Sequence, residues 1–310
     1  MSEESPISYS QLRDLEDDFE DIDLQMLRQQ DALTKDLYAK REALVSQIDN
    51  FWPLVFTQAP SEIDEYIQPT DSTVLVNSLK SLSVERFELP EGDPRSISIK
   101  FEFNENEFFE DKTIEKKFWW RNAKDGWAGL VSEPVNIKWK SADKDLTTGM
   151  LDLANKIFAE EKEGKAAPAD ETENKKKLIE IMEKEGLGGV SFFCFFGYTG
   201  RNISEEEHKA ATIVEAQNRK LRKEGKEVKD DEEDEEEDGF DEFEYEIFPM
   251  ASDVAVAIVE DLWPSAIRYF TDAQELEAMS DIDFEDDDED EDMEDDDELD
   301  GQPSSKKQKA

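Results

Sequence analysis

Positive charge is scarce in this 310-residue chain: 36 Lys and Arg stand against 82 Asp and Glu, a formal net charge of -46 at pH 7. A nucleic-acid backbone repels such a chain, which argues against sequence-specific DNA or RNA binding. The single cysteine, Cys194, excludes an internal disulfide framework. It lies within Ser191-Phe-Phe-Cys-Phe-Phe196, the surroundings of a buried, inert thiol. The single histidine, His208, stands among Glu205, Glu206, Glu207 and Lys209 on an expected exposed helix, so no His or Cys cluster exists for zinc. No apolar stretch approaches the roughly 20 residues of a membrane span. The N-terminus lacks the basic-then-apolar pattern of a signal peptide. The expectation is an intracellular chain with no membrane partner.

Enzyme chemistry finds little support. Gly186-Leu-Gly188-Gly189 lacks the Gly-Lys-Ser/Thr ending of a phosphate-binding loop. Acids are so numerous that any carboxylate pair is uninformative for acid–base work. The acidic C-terminus lacks the spacing and central glycine of a helix-loop-helix calcium site. The expectation is no catalysis, no metal and no cofactor.

What the chain has is acid, in two runs. From Asp281 to Asp300 sixteen of twenty residues are Asp or Glu, and Asp230–Asp238 is nine acids without a break. Setting both runs aside leaves 57 acids against 36 bases, so the remainder is acidic as well. Acid runs of this kind serve either as mere solubilisers or as attractors of strongly basic proteins. Their pairing with a structured body favours the second use, and the basic proteins of first interest are histones.

The body begins with a long helix. Leu12, Leu15, Phe19, Ile22 and Met26 follow 3-4-3-4 spacing, and the stripe resumes at Leu33, Leu37, Leu44, Ile48 and Phe51. No Gly or Pro interrupts residues 10–52, which predicts roughly 60 Å of helix. Including its exit past Pro53, the helix unit is taken as residues 10–56, after a loose N-terminus over 1–9. A stripe this long needs a partner of similar length. The following segment Ser61–Ile67 is too short for a covering hairpin, so a second copy of the chain is the expected partner.

The period then changes. Val84 and Phe87 fall in a first strand. Ile97, Ile99, Phe101 and Phe103 alternate with polar residues in a second, and Thr113–Arg121 gives a third. Val135, Ile137 and Trp139 suggest a fourth, closing an antiparallel meander. Helices are expected at Lys175–Glu185, at Ser204–Lys223 with Ser204 and Glu207 placed as a capping pair, and at Ser252–Phe270. The fold class is α+β: a four-stranded antiparallel sheet covered by helices in a lobe over 57–278. A mobile acidic insertion is expected at about 224–240, and a disordered acidic tail over 279–310.

These segments resemble the nucleosome assembly protein family, and most closely its SET/template-activating-factor branch. The runs that carry the likeness are Phe101-Glu-Phe-Asn-Glu-Asn-Glu-Phe-Phe109, Thr113-Ile-Glu-Lys-Lys-Phe118, Ile137-Lys-Trp-Lys140, Ser191–Phe196, and Glu260-Asp-Leu-Trp-Pro264 with Tyr269-Phe270. They stand in the family's order across about residues 10–275. Two stretches depart from the branch: Trp127–Pro134 is longer than its usual connection, and Ser204–Glu246 carries an insertion.

The resemblance implies a histone chaperone that dimerises through its long helix and binds core histones on an acidic underside of each lobe. Both the central-tetramer pair and the outer-dimer pair are expected partners, in nucleosome assembly and disassembly. The candidate histone contacts are Glu105, Glu107, Glu242, Glu244, Asp253, Glu260 and Asp261. The candidate dimer contacts are the apolar stripe from Leu12 to Phe51. Competing readings are an inhibitor of a protein phosphatase and an acidic adaptor of chromatin-modifying enzymes. Lys306-Lys307-Gln308-Lys309 reads either as a nuclear import signal or as tail polarity; with a histone-binding fold the nucleus is expected, with shuttling to the cytoplasm open.

Overall fold

The computed structural model describes residues 9–167, 170–186, 189–226 and 243–290, with side chains as far as residue 279. Residues 1–8, most of the expected acidic insertion (227–240), Glu242 and the tail from 291 onward lie outside the described residues. Helix α1 spans Tyr9–Val45. It ends earlier than the predicted helix. A turn over 46–50 leads, through Asn50 in a left-handed conformation (φ 57°), into α2, Phe51–Thr57. Asparagine tolerates that conformation better than most residues. Pro53 therefore sits in the first turn of a new helix, where its missing N–H costs nothing.

This break overturns one expected dimer contact. Phe51 is not on the stripe of α1; it is buried and stacks on Phe270 at 4.8 Å. Change of direction at Asn50 points the ring into the lobe, with Trp52, Val55 and Phe56 beside it.

Short helix α3 (Ser61–Asp64) precedes α4 (Pro69–Ser78), whose N-terminus is closed by a capping box of Gln68 and Asp71. Strand β1 (Leu79–Glu85) starts at once, earlier than predicted, and Phe87 lies beyond it. β2 (Ile97–Phe103), β3 (Thr113–Asn122) and β4 (Ala128–Val131) complete an antiparallel sheet in sequence order. Val84 pairs with Ile99, and Phe101 with Ile114. Ile97, Ile99, Phe101 and Phe103 are buried, as their alternation predicts.

The fourth strand is not where its alternation suggested. β4 is the return arm of a hairpin around Gly126 (φ 88°) and pairs Trp119–Asn122 with Ala128–Val131. The 135–139 segment instead bonds irregular neighbours: Val135 N–H donates to Phe196 O at 2.8 Å, and Lys138 O accepts from Glu110 N–H at 2.9 Å. Pro134 has no N–H to offer a ladder. Asp125-Gly126 was the available hairpin signal. The supposedly lengthened connection at Trp127–Pro134 is thus largely β4.

The covered face of the sheet meets a plug of rings, the 3-10 turn Phe192–Phe196, all of it buried. Phe101 contacts Phe192, Phe195 and Phe196, while Phe193 meets Phe109 and Trp139. Asp71 ties α4 to this plug. Its carboxylate accepts from Ser191 Oγ–H and Phe192 N–H, both at 2.6 Å, and from Gln68 N–H at 3.0 Å. Burial still pushes its pKa up, against those three bonds. Lys116 lies on the same face between Ile114 and Phe118 and is fully buried. Its ammonium donates to Glu133 O at 2.7 Å and to Gly197 O, and burial drives its pKa well down.

Helices α5 (Met150–Lys162) and α6 (Glu173–Glu185) pack together, joined by the buried Lys175–Glu161 pair at 2.8 Å. Helix α7 (Glu205–Lys223) begins at Ser204, whose hydroxyl accepts from Glu207 N–H at 3.1 Å. The predicted single closing helix is broken. α8 (Ala251–Ala257) runs into a π turn, Ile258–Leu262, and α9 (Ala266–Asp290) follows Trp263-Pro264. Pro264 cannot continue the helical ladder, and Trp263 N–H reaches back to Ile258 O at 2.9 Å. The backbone of α9 continues to Asp290, beyond the boundary expected at 278.

Candidate functional site

Helix α1 carries two different faces. Toward the lobe it presents a mixed polar and aromatic line. Arg28 donates to Pro90 O and Gly92 O, each at 2.8 Å; Glu20 pairs with Arg95 at 2.5 Å. Tyr38 lies 4.0 Å from the Trp263 ring, and the Arg41 guanidinium sits 4.5 Å over that ring while bonding Trp263 O. The opposite face is the predicted stripe. Leu12, Leu15, Phe19, Ile22, Met26, Leu33, Leu37 and Leu44, with Ile48 in the turn that follows the helix, are 42–76% exposed in the single protomer. A stripe of that extent, about 1.5 Å per residue along the helix, far exceeds the scattered apolar exposure of a monomeric surface.

The candidate lobe carboxylates fall in three places. Glu105 and Glu107 are exposed on the β2–β3 connection. The Asn106 side-chain carbonyl accepts from Phe108 N–H at 2.9 Å and Phe109 N–H at 3.0 Å, which fixes that bend. Glu102, Glu110 and Asp111 join Glu105 around a 520 Å³ cleft that also holds Lys80, Lys112 and Lys140. Glu260 lies elsewhere, on the rim of a 670 Å³ groove between α1 and the lobe, with Asp31, Glu42 and Glu85. Its contact to Arg86 is long, at 4.0 Å, and its side chain is 59% exposed. Lys80 and Glu85 mark opposite ends of β1, so the two groups are separated by roughly 17 Å of strand at 3.3 Å per residue. The third place is the 243–253 segment, where Glu244 and Asp253 are exposed.

Asp261 differs from its neighbour. Its carboxylate accepts from Tyr269 O–H at 2.8 Å and from Arg268 at 3.4 Å, so it braces the start of α9. The Tyr269 hydroxyl is pushed up in pKa by burial and by this carboxylate.

Sequence reading overlooked a fourth acidic group. Asp14, Asp17, Asp18 and Asp21 line one side of α1 and meet Arg219, Arg222 and Lys223 at the end of α7. Arg219 grips Asp21 with two parallel bonds, at 3.0 and 2.7 Å. Lys223 and then Arg219 hold Asp18 below the usual carboxylate range, and Arg219 does the same for Asp21. The spacing of these aspartates was visible in the sequence, but acids are too common there for it to stand out.

A helix with an exposed apolar seam, a meander capped by a phenylalanine plug, and a Trp-Pro break before the closing helix form a specific combination. The sequence matches the nucleosome assembly protein (NAP) family over residues 8–273. The chain belongs to this family. NAP proteins are histone chaperones, and this one has their fold. A putative nucleosome assembly protein of Schizosaccharomyces pombe is 29% identical over 298 residues, covering 92% of this chain and 88% of that protein. The protein SET of Drosophila melanogaster is 35% identical over a shorter stretch of 113 residues, covering 35% and 39% of the two chains. The crystal structure of Ccp1 superposes with a TM-score of 0.50 at 25% identity, covering 86% of this chain and 95% of that one. Helix α7 lies within the Ser204–Glu246 stretch.

Proposed function

We propose that this chain is a nuclear, homodimeric histone chaperone that holds core histones on ordered carboxylates of its lobes and assists nucleosome assembly and disassembly. The observation that carries this reading is the NAP match across residues 8–273. Two further features support it. The chain stays acidic after both acid runs are set aside, and the apolar seam of α1 is exposed in one protomer, as a dimer interface requires. Histones are dense in Lys and Arg. Fixed carboxylates such as Glu105, Glu107 and Glu260 offer their guanidinium groups paired bonds, whereas the C-terminal acids add a diffuse field that speeds encounter. Glu244 and Asp253 extend the acidic surface. Asp261 is better placed as a brace than as a contact.

The test is equilibrium and stopped-flow binding of each purified core-histone pair across salt. Truncation after Ala278 removes a net 13 negative charges. It should slow association and weaken binding most at low salt, where the lost field reached furthest. The E105K/E107K/E260K variant with its tail intact should weaken binding even near 0.15 M salt. Abolition of binding by truncation, with no effect of the lobe reversals, would make the tail the binding element and overturn the ordered-surface mechanism. Plasmid supercoiling reads assembly directly.

A further inference from the structure

The geometry points to α7 as a detachable strap: an internal basic segment seated across the acidic line of α1, which arginine-rich chains displace. The two halves of α7 are held differently. The first half is anchored on the sheet. Ala211 is buried, and the His208 ring accepts from Asn122 N–H at 3.0 Å. Asn122 also reaches Glu215 at 3.0 Å. Past that point, α7 meets α1 through a set of ion pairs. Arg219 contacts Asp17, Asp18 and Asp21; Arg222 contacts Asp14 and Asp17; Lys223 contacts Asp18. The side chains of Asp18, Asp21 and Lys223 are about half exposed, whereas those of Asp14, Asp17, Arg219 and Arg222 are only 11–24% exposed; the apolar Ile213 and Val214 of α7 face solvent.

A contact of this kind opens under conditions that leave an apolar interface closed. The screening length falls from about 8 Å at 0.15 M salt to about 3 Å at 1 M, which weakens the pairs of Asp18, Asp21 and Lys223 most, those of Arg222 less, and apolar contacts hardly at all. A partner that brings its own guanidinium groups offers Asp14, Asp17, Asp18 and Asp21 the same bonds and competes directly. The spacing of Arg219, Arg222 and Lys223 places all three on one helix face, so an arginine-rich segment that turns helical on binding can reproduce it. The strap thus keeps an acidic face neutralised until a sufficiently basic chain arrives. This property does not depend on histones being the cargo.

Hydrogen exchange on the full chain, with nona-arginine as the probe, tests it. Amides over residues 215–223 should lose at least tenfold protection in 1 M NaCl and, at low salt, on adding nona-arginine, while amides near Ala211 keep theirs. The R219Q/R222Q/K223Q variant should show the open pattern at low salt and bind nona-arginine several-fold tighter. K138Q/K177Q/K184Q carries the same charge change at exposed sites away from the strap and should gain less. Adding D14N/D17N/D18N/D21N to the strap variant should abolish its gain. Unchanged protection of 215–223 under both salt and nona-arginine would overturn the proposal, as would an equal gain in the control variant. If the strap variant unfolds all of α7, seen as lost protection near Ala211, the wild-type exchange result decides.

Discussion

Replacing Phe19 and Leu33 together by Asp should convert the protein to monomer without unfolding its lobe. Both lie on the solvent face of α1, 64% and 76% exposed, so one protomer gains nothing by burying them. In a two-fold dimer each position occurs twice, which removes four apolar burials worth about 2 kcal/mol each, or roughly 8 kcal/mol. At about 1.4 kcal/mol per tenfold, the dissociation constant rises by more than ~10⁵, before the cost of desolvating four carboxylates. A nanomolar dimer would become monomeric at any practical concentration. Sedimentation equilibrium in the micromolar range reads the mass, and near-ultraviolet circular dichroism reads the packing of the aromatic lobe. A double variant that stays dimeric, or a wild-type chain that is monomeric at micromolar concentration, refutes the reasoning. Loss of lobe packing in the variant would show instead that the stripe folds back onto its own protomer.

Phe193→Ala should cost about 3–5 kcal/mol in chemical denaturation, because the ring is fully buried against Phe109 and Trp139 and leaves a cavity among rigid rings. A loss below about 1 kcal/mol would mean that the plug can collapse around the gap. His208 should make stability fall in mild acid. Burial and then Arg121 hold its pKa below the usual 6.5, so the folded state favours the neutral ring. Its stabilising contribution is complete above pH 6.5 and is lost as pH falls from there through the folded value. Protonation also removes the acceptor for Asn122 N–H. His208→Gln, which keeps an acceptor and cannot titrate, should flatten denaturation midpoints between pH 7 and pH 5.5; an unchanged slope would show that other groups cause it.

Elements set by local period were legible in the sequence. The α1 stripe, β2 and the phenylalanine plug each announce themselves within a few residues, through spacing or through density of rings. What stayed hidden depends on partners far along the chain. Val135, Ile137 and Trp139 alternate like a strand, yet Val135 bonds Phe196, and Lys138 and Lys140 bond the 108–110 bend, which no local pattern encodes. Helicity through residues 46–50 looked uninterrupted because nothing there forbids a helix; the turn exists because Phe51 and Trp52 must enter the lobe core. Among the candidate contacts, exposure of Glu105, Glu107 and Glu260 agrees with a surface role. The bracing of Asp261 by Tyr269 could not be read from two residues eight apart, and the clasp between α7 and α1 joins residues about 200 positions apart.

Lys116 has a consequence for how the sheet chooses among alignments. Side chains on a strand alternate in period two, so sliding β3 by one residue would turn Ile114 and Phe118 outward, which their apolar character forbids. Sliding by two residues would keep apolar side chains inward, and hydrophobic pattern alone cannot reject it. Lys116 can. Only in the observed alignment does its amine meet Glu133 O and Gly197 O; two residues away it would be a buried donor with no acceptor. One polar donor on an otherwise oily face thus works against the even-numbered errors that hydrophobic alternation leaves open, and it ties the strand to a segment more than eighty residues later in the chain.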